Sequence, residues 1–175
     1  MKNTIILFVI CAVSCTRFSP EIEAVLQQAG NNRAELETVL NHYGIHPADS
    51  LKLRAAEFLI VNMPGHWSVN NDSLNACYAE MDSILRSGML RKDRIKQLEQ
   101  ISLRYFDAVN MTVEDIQVIR SDYLIRNIEQ AFETWYASLW ARHITFDEFC
   151  EYLLPYKVTE GQPFDAWRDS LKGQF

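Results

Sequence analysis

An all-α architecture, an orthogonal bundle of about seven helices joined by short loops, is the fold class this sequence predicts. Three observations carry that expectation. Apolar residues recur at helical spacing along nearly the whole chain. Helix start and stop signals (Ser, Thr or Asn caps, early Pro, closing Gly) punctuate that pattern. No segment alternates apolar and polar residues as a half-buried strand would, and Val158 and its neighbours are too few.

Each element follows from those signals. Ser19-Pro20-Glu21 supplies an N-cap, a first-turn proline and an early acid, and Gly30 closes the first helix. The second starts at Asn31 or Asn32, places Leu36, Val39, Leu40 and Tyr43 on one side, and stops at Gly44. The third follows Pro47 and ends firmly at Met63-Pro64-Gly65, because proline cannot continue a helix. Gly65 to Asn71 reads as a loop. Leu74, Cys77, Tyr78, Met81, Ile84 and Leu85 then share one face of an amphipathic helix that Gly88 terminates. Arg91 to Tyr105 is a more charged helix with Ile95, Leu98 and Ile101 as its seam. Thr112-Val113-Glu114-Asp115 resembles a capping box opening the longest helix, from Val113 to about Arg142. Thr145-Phe146-Asp147-Glu148 is a full capping box, and its helix stops before Pro155. Phe164 to Leu171 reads as a last helical turn or two. No fixed-period repeat is present.

The N-terminus predicts a location. Lys2 precedes an apolar run from Ile5 to Val13, then Ser14 and Cys15. That is the layout of a secretory signal peptide. The run is too short to span a membrane, which takes ~20 apolar residues. A small residue directly before a cysteine resembles the lipobox of bacterial lipoproteins, although Ala12 stands where Leu is usual. The resemblance implies that residues 1–14 are removed, that Cys15 is lipidated, that 15–18 form a tether and that 19–175 form one helical domain. It places the chain in the bacterial cell envelope, anchored to the membrane by lipid. Thr16-Arg17-Phe18-Ser19-Pro20 lacks an acidic run, which favours the periplasmic face over the cell surface.

The bulk balance excludes some partners. The chain carries 17 Lys and Arg against 23 Asp and Glu, a formal charge of −6. Such a chain has no electrostatic reason to seek nucleic acid or anionic lipid, and no basic cluster on one face stands out to reverse that.

Candidate chemistry is sparse. A thiol nucleophile needs a lowered pKa, a His base and an orienting group. Cys77 lies mid-helix, and Cys150 sits among Asp147, Glu148 and Glu151, whose charges raise a thiol pKa. These two cysteines are either a disulfide in an oxidising compartment or two buried thiols. His42 and His46 have metal-binding spacing, but Gly44 and Pro47 end the helix there, so no metal site is expected. His66 and Trp67 follow Pro64-Gly65 on a loop, where ligand contacts concentrate. Trp67, Trp135, Tyr136, Trp140 and Trp167 form either a sugar-stacking platform or, preferably, core. No cofactor is implied.

Several blocks carry a family resemblance. Asn32-Arg33-Ala34-Glu35-Leu36-Glu37, the run from Asp49 to Ile60, and Asn62-Met63-Pro64-Gly65-His66 resemble the helical N-terminal region of bacterial transglutaminase-like lipoproteins. So do Asp122 to Ile128, Phe146 to Lys157, and Gln162-Pro163-Phe164-Asp165-Ala166-Trp167-Arg168. In that family a papain-like core with Cys, His and Asp follows this region. Cys77 and Cys150 match helical-region positions, so the family's triad does not transfer to them. The resemblance therefore implies a non-catalytic accessory region, truncated at Phe175 before such a core, with the core itself as a partner. The alternative is a stand-alone helical lipoprotein module that binds peptide or glycan.

Overall fold

In a computed structural model, residues 17–69 and 71–172 are described, and they are predominantly helical. Cys15 and the expected signal segment lie outside them. The α-helices are α1 (Pro20–Gln28), α2 (Arg33–Gly44), α3 (Ser50–Val61), α4 (Asn71–Arg86), α5 (Arg91–Asn110), α6 (Asp115–Val118), α7 (Ser121–Ala137), α8 (Phe146–Tyr152) and α9 (Trp167–Lys172). Two three-residue strands, β1 (Trp67–Val69) and β2 (Thr112–Glu114), pair antiparallel with Ser68 opposite Val113.

The predicted punctuation is realised at both ends of the chain. The Ser19 side chain accepts from the Ile22 amide at 3.3 Å, and Pro20 opens α1. Gly30 adopts φ +55°, the left-handed region a side chain resists. At α8 the capping box is reciprocal. Glu148 N donates to Thr145 Oγ1 at 3.2 Å, and Thr145 N donates to Glu148 Oε2 at 2.7 Å.

The core lies among α1, α2, α3, α7 and α8. Leu26, Leu36, Leu40, Tyr43, Ile60, Met63, Leu124, Ile128, Phe132 and Phe149 are buried together there. Phe149 packs on Phe132 (4.7 Å between centroids) and stacks on Trp135 (4.4 Å).

The expected Val113–Arg142 helix is instead four pieces: β2, α6, α7 and a short 3-10 turn at Trp140–His143. Thr112–Glu114 is strand β2 rather than a capping box, because its backbone pairs with β1. After α6, Ile119 and Arg120 are extended (ψ 139° and 149°). Tertiary hydrogen bonds fix that break. Asn32 Nδ2 donates to the carbonyls of Ile116 (3.0 Å) and Ile119 (2.8 Å), and the Ser121 amide donates to Glu35 Oε2 at 2.7 Å. Hydrogen bonds from Ser121 hold the Glu35 carboxyl below its usual range. Helix α7 then ends at Ala137; Tyr136 in its last turn and Leu139 and Trp140 beyond it are exposed, whereas Trp135 is half-buried on the core. The aromatic group therefore divides between core and surface.

Helices α4 and α5 form a hairpin. They pack on each other more extensively than any other pair of elements and touch the rest sparsely. Cys77 and Ile101 are buried between them. Arg104 Nη1 and the Tyr105 hydroxyl both bond Glu80 at 2.7 Å. Tyr78, Leu85 and Ile95, expected on buried seams, are exposed, because among the described residues the hairpin packs chiefly on itself.

Candidate functional site

The site forms where the chain leaves α3. Gly65, at φ +87°, turns the chain after Pro64, and the His66 amide donates back to the Met63 carbonyl at 3.1 Å. Strand alternation then points Ser68 inward while Trp67 and Val69 face outward. The Asp115 amide donates to the His66 carbonyl at 2.9 Å, which places Asp115 directly beneath Ser68.

A chain of polar groups runs inward from there. Asp115 is 0% exposed. Its Oδ1 accepts from Ser68 Oγ at 2.5 Å, and its Oδ2 accepts from the Tyr156 hydroxyl at 2.7 Å and Lys157 Nζ at 2.6 Å. The Lys157 side chain is 7% exposed and also donates to the Trp67 carbonyl and to Glu160 Oε2, each at 2.9 Å. Glu160 in turn pairs through Oε1 with His66 Nδ1 and accepts the Trp67 amide at 3.2 Å. The order from surface to core is His66, Glu160, Lys157, Asp115. A buried carboxylate is tolerable only with such partners.

The electrostatics follow from these contacts. Burial pushes the Glu160 carboxyl up, but hydrogen bonds from Lys157, His66 and the Trp67 amide outweigh it and hold it at about 2. Burial, then the bond to Asp115, raises the Tyr156 hydroxyl, which stays a donor. Gly161 completes the turn. Its amide donates to the Trp67 carbonyl at 3.0 Å, its φ is +76°, and a Cβ there would lie 2.8 Å from Trp67 Cζ3.

The segment from Leu153 to Tyr156 is pinned from the other side. Tyr123 and Trp167 donate to the Tyr156 carbonyl at 2.6 and 3.0 Å. Arg168 donates to the carbonyls of Leu153 (2.5 Å) and Pro155 (2.8 Å) and to Asn127 Oδ1 (2.7 Å). Burial lowers the Arg168 pKa to about 10.

His66 and Glu160 stand at the rim of a cleft of about 460 Å³. Phe58 and Leu59 of α3 line it together with Pro155, Val158, Cys150 and Glu151. Of the two loop residues flagged in the sequence, His66 therefore faces a cleft, whereas Trp67 packs over Gly161. Cys77 and Cys150 are both free and buried, on the hairpin and in the main core respectively. Cys150 borders the cleft, yet burial and then the Asp147 charge raise its thiol to about 11. His66 lines the same cleft but is engaged with Glu160, and no Cys–His hydrogen bond occurs among the described residues. His42 lies on α2 against Tyr43, and His46 falls beyond its end. No group of three His, Cys, Asp or Glu among the described residues could hold a metal ion.

Sequence reasoning missed Asp115, Ser68, Lys157 and Glu160. The spacing Lys157-x-x-Glu160 was visible, but nothing local shows that a residue 42 positions upstream of Lys157 completes it. Compared with family models, curated proteins and solved structures, the chain has no match in any of the three. No described helix is long and apolar enough to cross a membrane.

Proposed function

We propose that this chain is an envelope-tethered, non-catalytic helical accessory domain of the transglutaminase-like lipoprotein type, which docks on a papain-like core. The observation that carries the reading is the set of exposed apolar side chains along the α4–α5 hairpin away from its tip. Leu103 on α5 is 71% exposed, and Tyr78 on α4 and Met111 just past α5 are exposed as well. A domain that completes its own core has no use for such residues, whereas one that packs on a second domain does. The signal and Cys15 supply the tether, and the raised Cys150 thiol argues against a nucleophile in this region. The test mixes the chain with a transglutaminase-like lipoprotein core and follows complex formation by calorimetry. Binding that weakens at least ten-fold in Y78Q/L103Q supports the reading, and no binding, or equal binding by that variant, refutes it.

A second reading is favoured by the cleft at His66. Its volume suits a short peptide or sugar, with apolar walls from Phe58 and Leu59 and polar groups at Glu160 and His66. Titration with peptide and glycan libraries, monitored at the His66 ring by NMR, tests it. Shifts confined to the cleft residues support binding there, and an unmoved His66 ring refutes it.

A further inference from the structure

We propose that the tip of the α4–α5 hairpin is a membrane-contact element that seats on an anionic lipid surface. The tip is the link Ser87–Leu90 and the helical turns on either side. Five basic residues, Arg86, Arg91, Lys92, Arg94 and Lys96, fall within residues 86–96 against one acid, Asp93. The rest of this acidic chain has no comparable cluster, so the expectation that no basic patch stands out is corrected here. The same turn exposes apolar side chains. Leu90 is 76% exposed, and Leu85, Met89 and Ile95 are exposed around it. Apolar groups ringed by Lys and Arg are the composition of interfacial membrane elements, in which the apolar tip enters the headgroup boundary and the cations meet lipid phosphates.

Charge complementarity selects an anionic bilayer over another occupant. Arg91, Lys92 and Lys96 form no ion pair among the described residues, while Arg86 is shared with Asp82 at 2.8 Å. Arg91 and Lys92 also stand in the first turn of α5, at the positive end of its dipole, where cations destabilise a helix. An anionic surface turns that local penalty into attraction. Arg94 donates to the Met89 carbonyl at 3.1 Å and holds the link in place. The hairpin packs chiefly on itself, and Leu85, Met89, Leu90 and Ile95 at and near its tip stay exposed. The inference rests on the tether reading only for proximity, because a chain lipidated at Cys15 already sits at a bilayer.

The test is hydrogen exchange by mass spectrometry on the full chain, mixed with vesicles of 3:7 phosphatidylglycerol and phosphatidylethanolamine or of phosphatidylcholine alone. The first amides of α5 have no intrahelical acceptor and exchange freely in water. The expected result is exchange over 88–93 slowed at least ten-fold on the anionic vesicles and unchanged on phosphatidylcholine. R91Q/K92Q should weaken anionic-vesicle binding about 25-fold, at about five-fold per charge. L90S should weaken it about ten-fold, and R120Q, a substitution elsewhere on the surface, should leave it unchanged. Equal exchange on both vesicle types, or protection that persists in R91Q/K92Q, overturns the proposal, including in favour of a protein partner at this tip. Fatty-acid incorporation at Cys15, measured separately, reports on the tether and leaves this outcome readable.

Discussion

Replacing Asp115 by Asn removes a buried charge while keeping the side chain's shape. Wild-type Asp115 accepts three hydrogen bonds, from Ser68, Tyr156 and Lys157, in a position closed to solvent. The amide still accepts from one or two of these as a neutral group. Lys157 loses its shortest contact and remains almost fully enclosed. Breaking a buried ion pair from one side costs about 3–5 kcal/mol. Glu160 and the Trp67 carbonyl still hold the ammonium, so the lower end, about 3 kcal/mol, applies. That is a large share of the 5–15 kcal/mol typical of a domain. Urea denaturation of D115N, K157M and the double variant measures it. The double variant leaves no orphaned charge, so the two single costs should be non-additive by at least about 2 kcal/mol. D115N within about 0.5 kcal/mol of wild type, or an additive cycle, would show that the network does not anchor the site.

Three other expectations follow from the same contacts. Glu160 is held at about 2, below the ordinary carboxylate value of about 4.3, so its contribution is complete above pH 4.3 and lost as pH falls from there toward 2. Its side chain is 43% exposed, which reduces that contribution to about 1 kcal/mol after solvent screening. The acid limb of a stability–pH profile should therefore be shallower in E160Q, and an unchanged limb would count against the pairing. Both thiols should resist maleimide at pH 8 in the folded chain and react on unfolding, Cys150 because burial holds it protonated; rapid labelling of Cys150 in native protein would contradict its placement. N32A leaves the Ile116 and Ile119 carbonyls without their donor and should cost about 1–2 kcal/mol by thermal denaturation. A loss below about 0.3 kcal/mol would mean that Asn32 does not fix the break before α7.

Most of the helical architecture was legible locally. Ser19-Pro20, the Pro64-Gly65 stop and the Thr145–Glu148 box act over a few residues, and the Ser19 and Thr145 side chains cap their own helices. The candidate site was legible only as the isolated loop residue His66, since its partners come from β2 and the segment after α8. The segment from Val113 to Arg142 shows why local reading fails. Its apolar period is helical throughout, but Asn32 and Glu35, some 80 residues earlier, offer the backbone better partners than the helix would. Strand β2 likewise depends on pairing with the distant β1, although its β-branched Thr112 and Val113 suit a strand.

The sequence by itself determined the all-α class and the caps at Ser19 and Thr145, because helix period and capping are local properties of the chain. Only the tertiary structure decided where the long apolar period breaks, which seam residues stay uncovered on the α4–α5 hairpin, and that His66 meets a buried Asp115 through Glu160 and Lys157. Those outcomes depend on hydrogen bonds and burial between residues far apart in the chain, and no window of local sequence contains both partners.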